Sequence, residues 1–307
     1  MSLAPIALFT YNRLEHTQQT LAALAKNESA AESDLIIFSD GAKNDKSLAS
    51  VQAVRTYLKT VTGFKSVKII EREKNLGLAD SIIKGVTEII RQFTKIIVLE
   101  DDLITAPYFL KYLNEALDRY AENDKIISIH GYVYPTKRPL PETFFLRGAD
   151  CWGWATWKRG WDLLETDSQK LLTALRAEKL GYEFDLDGSY PYLQMLKGQL
   201  KGLNNSWAIR WYATAFLKNK LTLYPGRSLV SNAGFDNSGT HTGRTQVFQT
   251  LLSTQPIKIG PIPIEENSAA KKTIIEYFRS PRLRLLIFFI NCKYYLKIFT
   301  KIFSARA

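Results

Sequence analysis

The chain has 307 residues, 46% of them hydrophobic, and a formal net charge of +11. That is enough apolar material for one large α/β domain, or a domain with appendages, and too much for a disordered chain. The positive charge thickens after residue 271 and forms no zinc-finger, ribonucleoprotein or basic-zipper pattern, so an anionic partner near the C-terminus is expected and nucleic acid is not.

Taken in order, Ile6 to Phe9 reads as a short buried strand, followed by helical spacing through Leu14, Thr17, Leu21 and Leu24. Leu35 to Phe38 is a second apolar run that stops at Ser39-Asp40-Gly41, and Leu48 to Val61 returns to helical spacing. Val67 to Ile70 makes a third strand, Asn75-Leu76-Gly77 breaks the chain, and Ala79 to Phe93 predicts a helix leading into a fourth strand, Ile96 to Leu99. Alternating strands and helices of this length predict a mostly parallel sheet with helices on both faces, since parallel strands need long crossovers.

Such sheets bind ligands at the carboxyl ends of their strands. That singles out Thr10 to Arg13, Ser39 to Gly41, Asn75 to Gly77 and Glu100 to Asp102, which all directly follow strands. After residue 125 the alternation loosens into short strands, a tryptophan-rich stretch, and a segment dense in Gly, Asn and Ser from Ser231 to Gly243. The division expected is a ligand-binding half (1–125), a second half of the same domain (126–270) and a basic helical tail (271–307).

Glu100, Asp101 and Asp102 place three like charges at the mouth of a buried strand, where repulsion and desolvation call for a compensating cation. A hard divalent ion suits them, because Mg²⁺ or Mn²⁺ takes one or two carboxylates and completes its shell with substrate phosphate oxygens. The plainer reading is that these acids favour the start of the next helix. Thr105 is the better N-cap for that helix, with Pro107 in its first turn.

In the tail, Arg282 to Phe303 combines an apolar run, Leu285 to Ile290, with Lys293, Lys297 and Lys301 at four-residue spacing. This predicts an amphipathic helix too short in apolar length to span a bilayer, lying either on an anionic membrane surface or on protein. Cys151 and Cys292 are far apart and lack metal-ligand spacing, and the opening Met-Ser-Leu-Ala-Pro has no secretory pattern. A cytoplasmic protein, peripheral at the inner face of the membrane, is the expectation.

With these residues in place, the chain resembles glycosyltransferases of the GT-A fold, in particular bacterial sugar transferases of the family two type. Around the acids it is similar to N-acetylglucosaminyltransferase I. The matching stretches are Phe9 to Arg13, Ser39 to Gly41, Asn75 to Gly77, Val98 to Leu103 with Ala106-Pro107, and Trp152 to Trp154. The resemblance implies a Rossmann-like central sheet and transfer of a hexosyl or N-acetylhexosaminyl group from a nucleotide-diphosphate sugar, a UDP-sugar favoured. The acceptor it implies is a saccharide or lipid-linked glycan in polysaccharide assembly, with inversion in a single displacement.

Carried onto this chain, the resemblance implies Asp102 as ligand of Mn²⁺ or Mg²⁺, Glu100 and Asp101 facing ribose or donor sugar, and Asp40 and Arg13 on the base. Thr10, Asn12, Asn75 and Gly77 join the donor site by their places at strand ends. Asp40-Gly41 and Asn75 to Gly77 are also ordinary turn chemistry. His241, in a glycine-containing loop, is the candidate for a late metal ligand.

The departure from the resemblance concerns the catalytic base. N-acetylglucosaminyltransferase I carries an acidic pair flanked by tryptophan, and the corresponding stretch here is Trp207-Ala-Ile-Arg-Trp211, with no carboxylate. Asp187, Asp185 and Asp150 are the alternatives, Asp187 first for its separation from the metal motif, then Asp150 for its place beside the tryptophans. Trp207 and Arg210 are candidates for the diphosphate, against a structural stacking of arginine on tryptophan. Trp152, Trp154, Trp157 and Trp161 suit either an acceptor platform or a buried helix face. The rival functions are a sugar nucleotidyltransferase, disfavoured because Tyr11-Asn12-Arg13 is no glycine-rich loop, and a nucleotide-sugar-binding homologue without catalysis.

Overall fold

The computed structural model describes residues 2–236 and 245–304. His241 and the side chains of Lys293, Lys297 and Lys301 lie outside the described residues. The first half runs β1 (Ile6–Thr10), α1 (Leu14–Leu24), β2 (Asp34–Ser39), α2 (Asp45–Leu58), β3 (Ser66–Glu71), α3 (Leu78–Phe93), β4 (Lys95–Glu100), β5 (Leu103–Thr105) and α4 (Phe109–Arg119). The second half begins β6 (Ile126–His130), β7 (Thr143–Arg147), β8 (Trp154–Trp157), α5 (Lys158–Trp161), α6 (Ser168–Ala177), α7 (Gly181–Phe184) and α8 (Tyr192–Leu200). It closes with α9 (Trp207–Leu217), β9 (Leu221–Pro225), β10 (Val230–Asn232), α10 (Ser268–Phe278) and α11 (Pro281–Ser304).

One eight-stranded sheet, in the order β3-β2-β1-β4-β8-β6-β9-β7, runs through both halves. Its first four strands are parallel, as the β-α alternation predicts. Beyond β4 the sheet is mixed: β8 is antiparallel to β4 and to β6, β9 is parallel to β6, and β7 is an antiparallel edge.

Alternation along β1 shows why its run is apolar throughout. Ile6 and Leu8 face a core built with α1, α2 and α4, whereas Ala7 and Phe9 face a second core built with α3 and α9. Helix α3 turns Ile82, Val86, Ile89 and Ile90 toward the sheet at helical spacing. Fully burying each such side chain contributes about 1.5–3 kcal/mol, which makes these two faces the main source of cohesion.

Two sequence expectations are corrected here. Thr105 is not a helix N-cap: it ends β5, pairs with Val230 of β10, and its Oγ1 accepts from Asn27 Nδ2 at 2.9 Å. Helix α4 starts only at Phe109, so the acids at 100–102 lie a full ribbon strand away from the start of the helix that follows them. The tryptophans, apart from Trp152, form core rather than platform. Trp154, Trp161, Trp207 and Trp211 pack with ring centroids 5.3–5.7 Å apart, and Trp157 is also buried.

His130, at the end of β6, is a core histidine. Its Nε2 accepts from the Trp152 backbone N–H at 3.0 Å, and Tyr224 presents its edge at 5.0 Å. Burial pushes its pKa down to about 4, against a smaller upward pull from Asp150. Because the unfolded chain takes up this proton first, the stability that neutral His130 contributes is present above about pH 6.5 and is lost as pH falls toward 4. Urea unfolding at pH 7 and pH 5 checks this: His130→Gln is expected to lose less stability over that interval than the parent chain.

Candidate active site

The sheet order changes direction between β1 and β4, and at that switch point the carboxyl ends of β1, β2 and β4 open into one crevice of about 590 Å³. Its size suits a nucleotide sugar. Thr10, Asn12, Arg13, Asp40, Asn75 and Gly77 line it, together with Glu100, Asp101 and Asp102. Nine of the residues expected from strand ends are therefore brought together by the fold.

The acids are held through their backbone carbonyls on both sides. Thr20 Oγ1 donates to the Asp101 carbonyl at 2.9 Å. Ala233, just past β10, donates its N–H to the Asp102 carbonyl at 2.8 Å. Gly234 follows, and a Cβ there would stand 2.2 Å from Asp102 Oδ2, so a larger residue would have to displace the Asp102 carboxylate.

Arg13 is the counter-charge. One guanidinium nitrogen, Nη2, binds Asp101 Oδ1 and also Asp102 Oδ2, the latter at 2.8 Å. The expectation for Arg13 was the nucleotide base; the structure has it on the carboxylates, because the repulsion at the end of β4 is met by the first cation within reach. Burial works against the charge on Arg13, and Asp101 and Asp102 outweigh it, so its pKa is raised.

The compensation is incomplete. Burial, then Asp102 and Asp101, push Glu100 up to about 8, with Arg13 pulling the other way. Asp101 is raised as well, by burial first, and its Oδ2 is buried without a hydrogen-bond partner. Three carboxylates facing one guanidinium thus leave acceptor oxygens and negative charge over.

Asp40 frames the other wall. Its Oδ1 accepts from the N–H groups of Gly41 and Leu76, and its Oδ2 from the Gly77 N–H and from Asn75 Nδ2, all at 2.9–3.0 Å. Asn75 Nδ2 reaches the Gly41 carbonyl too, at 2.8 Å. Gly77 itself has φ of 73°, a conformation that favours glycine. The carboxylate of Asp40 is therefore engaged in shaping the 75–77 turn.

Other candidates fall outside the crevice lining. Trp207 is buried and stacked on Trp154 at 5.4 Å, because α9 uses it to pack on the sheet. Arg210 reaches the Thr166 carbonyl and Asn205 Oδ1, so it stands one residue behind the lining, where Asn205 is found. Asp187 sits in an outer turn at φ 51°, ion-paired with Lys271 at 3.2 Å. Asp185 accepts from the Leu193 N–H and is raised to about 6 by burial. Asp150 also lies outside the lining: Tyr134 and Tyr224 donate hydroxyl hydrogens to its Oδ2 at 3.1 and 3.0 Å, though two residues on, Trp152 lines the crevice.

Lys43, Ser81, Asn205, Asn232 and Phe235 also line the crevice and were not singled out from sequence. For Asn232 the cue was its place in the Gly/Asn/Ser-dense segment; Asn205, in a polar loop after α8, carried no periodic signal.

Asp40→Ala would strand three backbone N–H groups and one side-chain amide in a buried setting, so a loss of about 2–4 kcal/mol in stability is expected. Chemical denaturation measures it, and retention of parental stability would contradict the framing role of Asp40.

The model of the glycosyl transferase family 2 matches residues 6–176, which span β1 through most of α6 and include the acids and the Trp152–Trp154 segment. A search of curated proteins finds no match. Among solved structures, the mannosyltransferase PcManGT from Pyrobaculum calidifontis, in complex with GDP-Man and Mn²⁺, is similar with TM-score 0.33 and 12% identity, over 43% of this chain and 36% of that one. TarS of S. aureus is similar with TM-score 0.32 and 16% identity, over 47% of this chain and 24% of that one. The mixed α/β sheet is that of a GT-A fold, and the chain belongs to glycosyl transferase family 2.

Proposed function

We propose that the chain transfers a hexosyl or N-acetylhexosaminyl group from a nucleotide-diphosphate sugar, a UDP-sugar favoured, to a saccharide or lipid-linked acceptor, with inversion at the sugar carbon. The observation that carries this reading is the convergence of Glu100, Asp101 and Asp102 on the crevice at the β1/β4 switch point, with more negative charge than Arg13 offsets. Polysaccharide assembly, in the cytoplasm at the inner face of the membrane, is the setting.

The donor set fits Mn²⁺ or Mg²⁺. Asp102 borders the crevice, the Asp101–Asp102 pair already gathers a cation, and Asp101 Oδ2 is a buried acceptor without a partner. Among the described residues no group of three or more His, Cys, Asp or Glu is placed to hold a metal by itself, so a divalent ion here would need oxygens from a diphosphate. Asp102 would hold the ion, with His241 as a further ligand. When bound, the ion supplies charge neutralisation for the departing nucleotide diphosphate.

The chain's own residues do the rest. Glu100 and Asp101 face ribose or donor sugar, Thr10, Asn12, Asn75 and Gly77 shape the nucleotide pocket, and Asp40 fixes the turn that carries Asn75 and Gly77. Arg13 adds positive charge near the diphosphate, with Arg210 behind Asn205 and Trp207 supporting the same wall from the core. Asp150 takes the proton of the acceptor hydroxyl, whose oxygen bonds to the sugar carbon as the bond to the diphosphate breaks. Asp150 is preferred to Asp187 because it adjoins Trp152 at the crevice, while Asp187 is paired with Lys271 in an outer turn. Residues 1–125 bind the donor and 126–270 the acceptor.

In a thermal-shift panel, UDP-sugars with Mn²⁺ are expected to raise the melting temperature more than UDP-sugars alone. Asp102→Ala is expected to remove the Mn²⁺-dependent part, and an unchanged shift in that variant would sink the metal assignment. In transfer assays, Asp150→Asn is expected to lower kcat by about 10²–10⁴-fold with donor binding intact, while Asp187→Asn stays near the parent. The reverse pattern would move the base to Asp187. Donor binding without turnover on any acceptor would instead favour a binding homologue, and pyrophosphate-dependent exchange of the nucleotide would favour a nucleotidyltransferase.

A further inference from the structure

Helix α11 is apolar on two opposite sides. Its inner side packs on the protein: Leu283 is buried in the cluster of Phe278, Phe144 and Tyr224, and Leu286 packs against the same group. Farther along, the Lys201 ammonium lies 5.6 Å from the Tyr294 ring centroid, which ties the helix to the end of α8. Its outer side should by ordinary logic be polar, since the helix already has its core contact.

It is not polar. Leu285, Phe288, Phe289 and Leu296 are 57%, 59%, 59% and 64% exposed. Counted from Leu285 they fall at i, i+3, i+4 and i+11, with exposed Cys292 at i+7, so all five share one narrow stripe. A contiguous apolar stripe of this kind on a water-facing helix marks an interaction surface.

Charge decides the occupant. No Asp or Glu follows Glu276, whereas Arg279, Arg282, Arg284, Lys293, Lys297 and Lys301 do. Arg282 and Arg284 are exposed at the start of the stripe. A second copy docked through this stripe would bring two such positive segments together, which like-charge repulsion disfavours, while an anionic surface is complementary. Among the described residues no helix is long and apolar enough to cross a membrane.

We propose that α11 lies in the plane of an anionic membrane surface, with Leu285, Phe288, Phe289 and Leu296 entering the headgroup boundary and Arg282 and Arg284 meeting lipid phosphates. This deepens the membrane setting of the reading above by naming the surface that makes the contact, and it rests on that reading for location alone. Attachment by α11 would hold the crevice near lipid-linked acceptors.

The test is vesicle co-sedimentation of the full chain with phosphatidylcholine vesicles with and without phosphatidylglycerol. The parent chain is expected to bind only the phosphatidylglycerol vesicles, and less as salt is raised. The combined variant Leu285→Ser, Phe288→Ser, Phe289→Ser is expected to bind about tenfold less, and Arg282→Gln with Arg284→Gln is expected to weaken binding and flatten its salt dependence. Because the stripe is exposed, the serine variant should keep the parental melting temperature and the donor-induced shift, so loss of vesicle binding is separable from failure of the transferase reading. Absence of binding by the parent, or equal binding by the serine variant, would overturn the proposal. So would sedimentation velocity showing a parental dimer that the serine variant dissociates.

Discussion

Three successive carboxylates at the end of a buried strand, facing a single guanidinium, set the terms for the rest of this structure. At an effective dielectric of 20, two unit charges 4 Å apart interact by about 4 kcal/mol, so the placement of each charge here outweighs most surface preferences. Arg13 is drawn from the loop after β1 onto Asp101 and Asp102, which ties the two strands at the switch point together. Glu100, left with burial and two repelling neighbours, is raised to about 8. Two of the acids share one guanidinium, so the arrangement keeps capacity for more positive charge.

Around that centre, the tasks are divided between rigid and exchangeable groups. Asp40 is committed to four hydrogen bonds that shape the 75–77 turn, and the tryptophans of β8, α5 and α9 are committed to core packing. The β5–β10 ribbon delivers Gly234 against Asp102 and closes the crevice from the second half of the chain. What faces the open space is mostly polar side chains on strand-end loops, with Phe9, Tyr11, Trp152 and Phe235 as the aromatic lining. A sheet that passes unbroken from the donor-side strands to β9 and β7 holds these parts in register.

The helix α11 belongs to the same economy of surfaces, for it satisfies its inner side on the fold and leaves a second apolar side outward. A crevice for a charged donor and a basic, apolar-striped helix are separate devices, joined through α10 and the β7 edge. On the function proposed above, donor and surface-bound acceptor would reach the crevice from different directions.

The first four strands, the three helices between them and the strand-end residues that line the crevice were legible in the sequence. Parallel strands buried on both faces must be continuous apolar runs, and ligands meet such sheets at their carboxyl ends. The antiparallel insertion of β8 between β4 and β6 was not legible, because strands of three to five residues carry too few positions for a period to register. Nor could sequence tell that Thr105 ends a ribbon strand, or that Trp207 faces core while Trp152 faces the crevice, since both depend on contacts far apart in the chain. The charges at Glu100, Asp101 and Asp102, and their need of a cation, were written in the chain itself. Only the tertiary fold decided that Arg13 would be the one to meet them, because 88 residues separate it from Asp101 and the sheet alone brings the two together.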